Sequence, residues 1–224
     1  MENWLFFIGL PLILGLWAQA RVTGAFRRYS QVPASSGLTG ADAAREILDA
    51  AQIHDVNIVQ INGMLGDHYD PTKKQLCLST ATYGSPSIAA VGIAAHETGH
   101  AIQHARAYAP LQWRMTIVPA TAFASRILPF VIFGGFIFHL LGLIEIGILC
   151  YAVLAVFQLI TLPVEYDASR RAKIVLGQLG IIQPGAEAAG VNAVLDAAAL
   201  TYVAAFIAAL GNLLWLLTLS NRRR

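Results

Sequence analysis

Cysteine is scarce in this 224-residue chain, which contains only Cys77 and Cys150. Two thiols exclude a disulfide framework and a cysteine-based zinc site, so any metal ligands must be histidine, aspartate or glutamate. Cys77 stands in a short apolar run and Cys150 in a long apolar stretch. Both are therefore expected to pack as small apolar side chains.

Charge is also scarce. Charged residues make up 12% of the chain, the formal net charge is +2, and 56% of the residues are hydrophobic. A mean hydropathy of +0.58 excludes an ordinary soluble domain. So small a net charge provides no electrostatic surface for nucleic acid. The composition instead predicts an integral membrane protein in contact with a lipid bilayer.

Long apolar runs divide the chain into five parts. Each run is long enough for one or two helical crossings, at about 20 residues per crossing. The predicted parts are a transmembrane anchor over residues 1–20, a soluble part over 21–114, a transmembrane hairpin over 115–164, a helical segment over 165–198, and a transmembrane helix with a basic tail over 199–224. The predicted fold is mainly α and integral to the membrane, with about four transmembrane helices and a small α+β soluble part.

Charges at the ends of the runs predict how the chain crosses the membrane. The first run follows Glu2 rather than a basic segment and precedes several arginines, which indicates an uncleaved anchor with its amino terminus outside. Most basic residues near span ends then lie on the cytoplasmic side, although the basic tail at 222–224 faces outward. The hairpin is expected to turn at residues 139–145.

Local patterns predict the elements of the soluble part. A capping box starts a helix over residues 39–51. Strands are predicted over 56–61 and 75–79, with a turn at 66–71 between them. A second helix is predicted over 85–107, where a serine caps the helix and proline takes its first position.

The segment GIAAHETGHAIQHA, residues 92–105, has two histidines four positions apart and a glutamate after the first. Positions four apart share one helical face, so His96 and His100 can offer two ring nitrogens to one tetrahedral ion. Glu97 lies beside such an ion, where it can accept a proton from a zinc-activated water that attacks a carbonyl. The spacing is typical of a zinc hydrolase with Glu97 as the catalytic base, and it predicts that the α+β part over residues 21–114 is a zincin-like metalloprotease part with an HExxH helix.

A catalytic zinc needs a third protein ligand. His104 lies about 12 Å along the helix axis from His96, so these two cannot share an ion, and a supporting or packing role suits His104 better. The position ten residues after His96, where metzincins have a further histidine, is Arg106. Glu165, just after the hairpin, is the better candidate, with Asp167 as its rival. Alternatively, both are acidic residues at the solvated start of a helix.

Four segments of the chain carry a family resemblance. They are AVGIAAHETGHAIQHA, DHYDPTKKQLCLS, LPVEYDASRRA and VLDAAALTYVAA. Together they resemble the YugP-type family of bacterial membrane zinc metallopeptidases. The combination of an HExxH motif with a downstream glutamate is more distantly similar to HtpX and CAAX-prenyl endopeptidases. The resemblance implies one zinc ion per chain, with His96, His100 and Glu165 as ligands and Glu97 as the catalytic residue. Ser169 replaces an aspartate of the HtpX-like pattern, so the surroundings of the ligands are expected to differ.

In such a gluzincin-like enzyme, the strand before the active-site helix offers an edge to an extended peptide, and residues 75–79 are in position for this. His68 and Tyr69 in the preceding turn are candidates for a hydrogen bond to the oxyanion. The alternative is a well-formed turn without a catalytic role. Asp167 is a candidate for orienting a ligand histidine.

These expectations favour a zinc metalloendopeptidase of the bacterial plasma membrane that cleaves membrane-associated or misfolded proteins, with its site facing the cytoplasm. The expected partners are a protein or peptide substrate and the lipid bilayer, without nucleic acid. The alternative is a non-proteolytic membrane protein that binds metal or scaffolds a complex. Transport is disfavoured, because Arg126 and Glu145 are the only candidate charges within the spans.

Overall fold

The computed structural model describes residues 4–63, 66–138 and 140–223, most of which are helical. The elements, in chain order, are a π-helical turn (Leu5–Gly9), α1 (Leu10–Tyr29), α2 (Gly40–Ala50), β1 (Asn57–Ile61), β2 (His68–Asp70), β3 (Gln75–Ser79), α3 (Thr80–Tyr83), α4 (Ile88–Ala105), α5 (Ala109–Ile137), α6 (Leu141–Gln178) and α7 (Ala186–Arg223). Within the described residues, four helices are long and apolar enough to cross a membrane: α1 with its π-helical turn, α5, α6 and α7. The predicted mainly α, membrane-integral fold is confirmed.

Tertiary contacts divide the chain into two compact units. The first, called the membrane unit, comprises the described residues within 1–19, 110–163 and 200–224. The second, called the α/β unit, comprises the described residues within 20–109 and 164–199. The short sheet and the histidine-rich helix α4 belong to the α/β unit.

Apolar side chains cover the outside of the membrane unit. Phe6, Phe130 and Leu149 are 66%, 77% and 64% exposed. In water this surface would be unfavourable, whereas a hydrocarbon environment removes the cost. Inside the unit, the rings of Phe136 and Trp215 stack with their centroids 5.6 Å apart. The unit therefore has the exterior of a membrane-embedded helix bundle.

The membrane hairpin turns earlier than the sequence predicts. Helix α5 ends at Ile137 and α6 begins at Leu141, whereas the turn was predicted at residues 139–145. A helix satisfies its own backbone hydrogen bonds, and unpaired backbone groups are costly in an apolar environment. A short break between the two helices therefore leaves few backbone groups without partners. Three residues used in the topology prediction lie outside the described residues: Glu2, His139 and Arg224.

Three short strands form the sheet of the α/β unit, in the order β1-β3-β2, with β1 parallel and β2 antiparallel to β3. The prediction that residues 66–71 form only a turn is wrong, because His68–Asp70 make β2. The reversal follows this strand. There Oδ1 of Asp70 accepts hydrogen bonds from the backbone N–H groups of Thr72 and Lys73, at 2.9 and 3.1 Å. The Asp-Pro pair therefore begins the turn rather than standing inside it.

The structure confirms one predicted helix start and corrects another. At α2, the Thr39 side chain accepts from the Asp42 N–H and the Asp42 side chain accepts from the Thr39 N–H, which is the predicted capping box. Helix α4 begins later than predicted, because its N-cap is Ser87, which accepts from the Ala90 N–H at 3.2 Å. The predicted cap, Ser85, instead accepts from the Ser87 N–H at 3.3 Å.

A glycine lets α4 approach α6 closely within the α/β unit. A Cβ atom added to Gly99 would lie 2.7 Å from the carbonyl oxygen of Ala168, closer than non-bonded atoms allow. The absence of a side chain at this position therefore permits backbone contact between the two helices. This contact brings the histidines of α4 beside residues 164–169 of α6.

Candidate metal centre

Three side chains from α4 and α6 converge on one point. The Nε2 atoms of His96 and His100 lie 3.2 and 3.4 Å from Oε2 of Glu165. One possible ligand atom from each of the three residues lies within 4.8 Å of the other two. The group joins the two histidines of the sequence motif to Glu165 rather than to its rival Asp167.

Glu165 lies in the interior of α6, so the alternative that it begins a solvated helix is wrong. Its side chain is 2% exposed. A buried carboxylate is strongly unfavourable unless positive or hydrogen-bonding groups compensate for the lost water, and here the two imidazoles do so. Asp167 contacts other groups, namely the side chains of Gln103, Arg170 and Arg171.

The outer ring nitrogens of both histidines also have partners. Nδ1 of His96 lies 3.1 Å from Oγ of Ser169, and Nδ1 of His100 lies 3.0 Å from Oε1 of Gln103. These contacts keep both Nε2 atoms directed at Glu165. The serine that departs from the HtpX-like pattern is thus the residue that supports His96. Sequence reasoning missed Gln103, although its position three residues after His100 puts it on the same helical face.

The donor set suits zinc. Two imidazole nitrogens and one carboxylate oxygen are a known set of protein ligands in catalytic zinc sites. Burial lowers the pKa of His100, but the Glu165 carboxylate outweighs burial and holds that pKa above its ordinary value. The negative charge that stabilises a protonated imidazole would equally stabilise a metal cation. His96, His100 and Glu165 therefore fit the ion in both chemistry and charge.

Glu97 lies between the two histidines in the sequence of α4, and its carboxyl group interacts electrostatically with both of them and with Glu165. It is partly buried, and its Oε2 accepts a hydrogen bond from the backbone N–H of Tyr69 in β2, at 3.1 Å. Burial raises the pKa of Glu97, while His96 and His100 oppose this effect. A carboxyl group with a raised pKa, fixed through one oxygen, is suited to accept a proton.

Tyr69 and His104 form a second contact between β2 and α4. The Tyr69 hydroxyl lies 2.9 Å from Nδ1 of His104. Burial raises the pKa of Tyr69 to about 12, so the hydroxyl stays protonated at neutral pH. His68 is exposed, and its Nδ1 lies 2.8 Å from the carbonyl oxygen of Gly66. A hydrogen bond from His68 or Tyr69 to an oxyanion stays a prediction.

The prediction that residues 75–79 offer a free edge to a peptide is wrong. Gln75–Ser79 form β3, the central strand, which pairs with β1 on one side and β2 on the other. Its backbone groups are therefore already used within the sheet. The strand beside Glu97 is β2, at one edge of the described sheet.

Membrane-length helices combined with a zinc-compatible His–His–Glu group point to the class of membrane-bound metallopeptidases. Residues 4–221 match the family described as "Putative neutral zinc metallopeptidase", and the chain belongs to this family. It is also similar to "Putative membrane protease YugP" of Bacillus subtilis (strain 168), with 47% identity over 201 residues, which cover 90% of this chain and 89% of that protein. No solved structure gives a significant match.

These comparisons confirm the family resemblance predicted from the sequence. The chain is a membrane-associated member of a zinc metallopeptidase family, and this membership implies zinc as the metal and proteins or peptides as substrates.

Proposed function

We propose that this protein is a membrane-embedded zinc endopeptidase that hydrolyses peptide bonds of membrane-associated or misfolded proteins in a bacterial plasma membrane. The observation that carries the proposal is the convergence of His96, His100 and Glu165 beside Glu97. Four membrane-length helices favour substrates that meet the enzyme at the bilayer.

His96, His100 and Glu165 would hold one zinc ion per chain. Bound zinc supplies Lewis acidity, which polarises a carbonyl group and lowers the pKa of a water molecule. Three protein ligands are the usual number in catalytic zinc sites, which keep a further position open for the reactants. The contacts of Ser169 and Gln103 keep the two imidazoles turned toward that shared point.

Glu97 acts as the general base in this proposal. It takes a proton from the attacking water and passes it to the leaving amine nitrogen, so that the C–N bond breaks after the new C–O bond has formed. The Tyr69 N–H holds Oε2 in place, and the other carboxylate oxygen handles the proton. The raised pKa allows the carboxyl group to keep the proton between these two steps.

The test measures turnover of a quenched peptide or of casein by the detergent-purified chain. We expect activity that a chelator removes and added zinc restores. The Glu97→Gln variant, purified in the same way, is the control for contaminating proteases. Zinc binding with no turnover of either substrate would contradict the proposal and favour the non-proteolytic metal-binding or scaffolding alternative.

We place the site on the cytoplasmic side of the membrane. Several basic residues of the α/β unit lie close in sequence to the apolar spans: Arg21, Arg27, Arg28, Arg106, Arg170, Arg171 and Lys173. Lysine and arginine near span ends concentrate on the cytoplasmic side, so these residues outweigh the basic tail at 222–224.

A further inference from the structure

Gln103 is a fully buried polar residue next to the candidate zinc ligands. It lies on α4, three residues after His100, and its side chain is 0% exposed. A buried amide must find hydrogen-bond partners for both its oxygen and its nitrogen. The partners of this amide therefore determine which way it points.

Two groups around Gln103 can only accept hydrogen bonds. Nε2 of Gln103 donates to the carbonyl oxygen of Val164 at 2.8 Å and to Oδ2 of Asp167 at 3.0 Å. A flipped amide would place its oxygen against two acceptor oxygens and would lose both hydrogen bonds that Nε2 donates, which is costly in a buried position. The amide nitrogen is thus assigned to this side by its surroundings, and Oε1 must face His100.

The orientation of the amide fixes the protonation pattern of His100. Oε1 of Gln103 accepts from Nδ1 of His100, across 3.0 Å, so Nδ1 carries a hydrogen. In the neutral imidazole the other nitrogen, Nε2, then has a free lone pair. That atom lies 3.4 Å from Glu165, where the proposed ion would be held.

His96 has a less selective partner. Oγ of Ser169 lies 3.1 Å from Nδ1 of His96, and a hydroxyl can either donate or accept. Asp167, by contrast, is anchored by Arg170 and Arg171 as well as by Gln103. The control of tautomer is therefore stronger at His100 than at His96.

Building on the proposed metal site, we propose that Gln103 is a positioning residue that holds His100 in the tautomer and ring orientation needed to bind zinc. Asp167 and the Val164 carbonyl contact Gln103 on the side away from His100, where they accept hydrogen bonds from Nε2 and so set the direction of the amide. Outer partners of ligand histidines typically contribute about 10- to 100-fold in metal affinity or activity.

The experiment compares zinc affinities of detergent-purified variants by competition with a chromophoric chelator. Gln103→Leu removes the acceptor at His100 and should weaken zinc binding roughly 10- to 100-fold. Thr98→Val is the matched control. Thr98 is another fully buried polar residue of α4, whose hydroxyl donates to the Ala94 carbonyl at 2.7 Å. This variant should retain the wild-type affinity.

A second pair keeps the test valid if Gln103→Leu folds poorly. In an Asp167→Asn background, Gln103→Glu keeps an acceptor for His100 without placing two carboxylates together, whereas Gln103→Leu removes the acceptor. We expect tighter zinc binding with Gln103→Glu than with Gln103→Leu. With Co²⁺ in place of zinc, only the leucine variants should show an altered visible absorption spectrum, because only they release the ring of His100.

The His100→Ala variant separates two kinds of failure. If it binds zinc as tightly as the wild type, the proposed metal site itself is wrong. The other outcome is that His100→Ala loses zinc, while Gln103→Leu binds zinc and Co²⁺ like the wild type and its Asp167→Asn counterpart binds them like the Gln103→Glu variant. In that case the metal site stands and the positioning role of Gln103 is refuted.

Discussion

Glu97 and Glu165 flank the same two histidines, but their surroundings give them different chemistry. The Glu165 carboxylate is almost fully buried and contacts Nε2 of both rings. Glu97 is partly buried and is held by a backbone N–H of β2. A buried carboxylate that meets Nε2 of two imidazoles at one point suits a metal ligand, whereas a tethered carboxyl with a raised pKa suits proton transfer.

Replacing Glu97 with glutamine should separate these two roles. We expect Glu97→Gln to lower kcat by about 100- to 10,000-fold, because the base is lost, while zinc stays bound to intact ligands. Glu165→Ala is the comparison and should lose zinc as well as activity. The measurements are peptide turnover and zinc content per chain.

Two outcomes would contradict these assignments. Unchanged activity in Glu97→Gln would remove Glu97 from the role of base. Full zinc content in Glu165→Ala would place the third ligand elsewhere, and Asp167 would be the next residue to test.

Among the elements, α4 makes the contacts that assemble the site. It carries both histidines and Glu97, reaches β2 through Tyr69, and meets the backbone of α6 at Gly99. The ligand from α6 reaches the histidines because no side chain separates the two helices at this point. The spacing between α4 and α6 should therefore control metal binding.

Adding one methyl group at the helix contact tests this dependence. The Cβ atom of Gly99→Ala would meet the Ala168 carbonyl oxygen at 2.7 Å, so α4 and α6 must move apart. We expect a loss of about 1–3 kcal/mol in the free energy of unfolding, together with weaker zinc binding. Thermal unfolding and zinc titration measure these two effects.

Gly177→Ala on α6 is the control for the contact variant. A Cβ atom there meets no heavy atom of the described residues within 4 Å. Because alanine favours helix by roughly 1 kcal/mol over glycine, this variant should be as stable as the wild type or more stable, with unchanged zinc binding. Wild-type zinc affinity in Gly99→Ala would show that the helix spacing is not limiting.

At the scale of the whole molecule, the chain combines a membrane unit with an apolar exterior and an α/β unit that contains the candidate site. Four membrane-length helices are confirmed in the part of the chain that the structure describes, and the side of the membrane that holds the α/β unit is our proposal. Labelling with a membrane-impermeant maleimide can determine that side.

The labelling experiment uses a background in which the two buried cysteines, Cys77 and Cys150, are replaced by alanine. Ser36→Cys reports on the α/β unit and Phe138→Cys on the connection between α5 and α6, since both residues are exposed. A cytoplasmic site predicts that Phe138→Cys reacts in intact cells, whereas Ser36→Cys reacts only after the cells are opened. The reverse pattern would place the site outside.

Elements with strong local signals were predictable from the sequence. The capping box of α2, strands β1 and β3, and the membrane-length helices follow from neighbouring residues or from long apolar runs. Strand β2 was missed, because three residues beside an Asp-Pro turn signal carry too little pattern. The central position of β3 was missed for a related reason, since strand order depends on pairing between distant segments.

The sequence by itself determined the membrane character of this protein and the helix that presents His96 and His100 on one face, because composition and helical spacing are local properties. Only the tertiary structure decided that Glu165, 65 positions after His100, meets both rings, and that Gln103 connects His100 to Asp167. Those contacts depend on two helices touching at Gly99, and such an approach of distant segments leaves no local pattern in the chain.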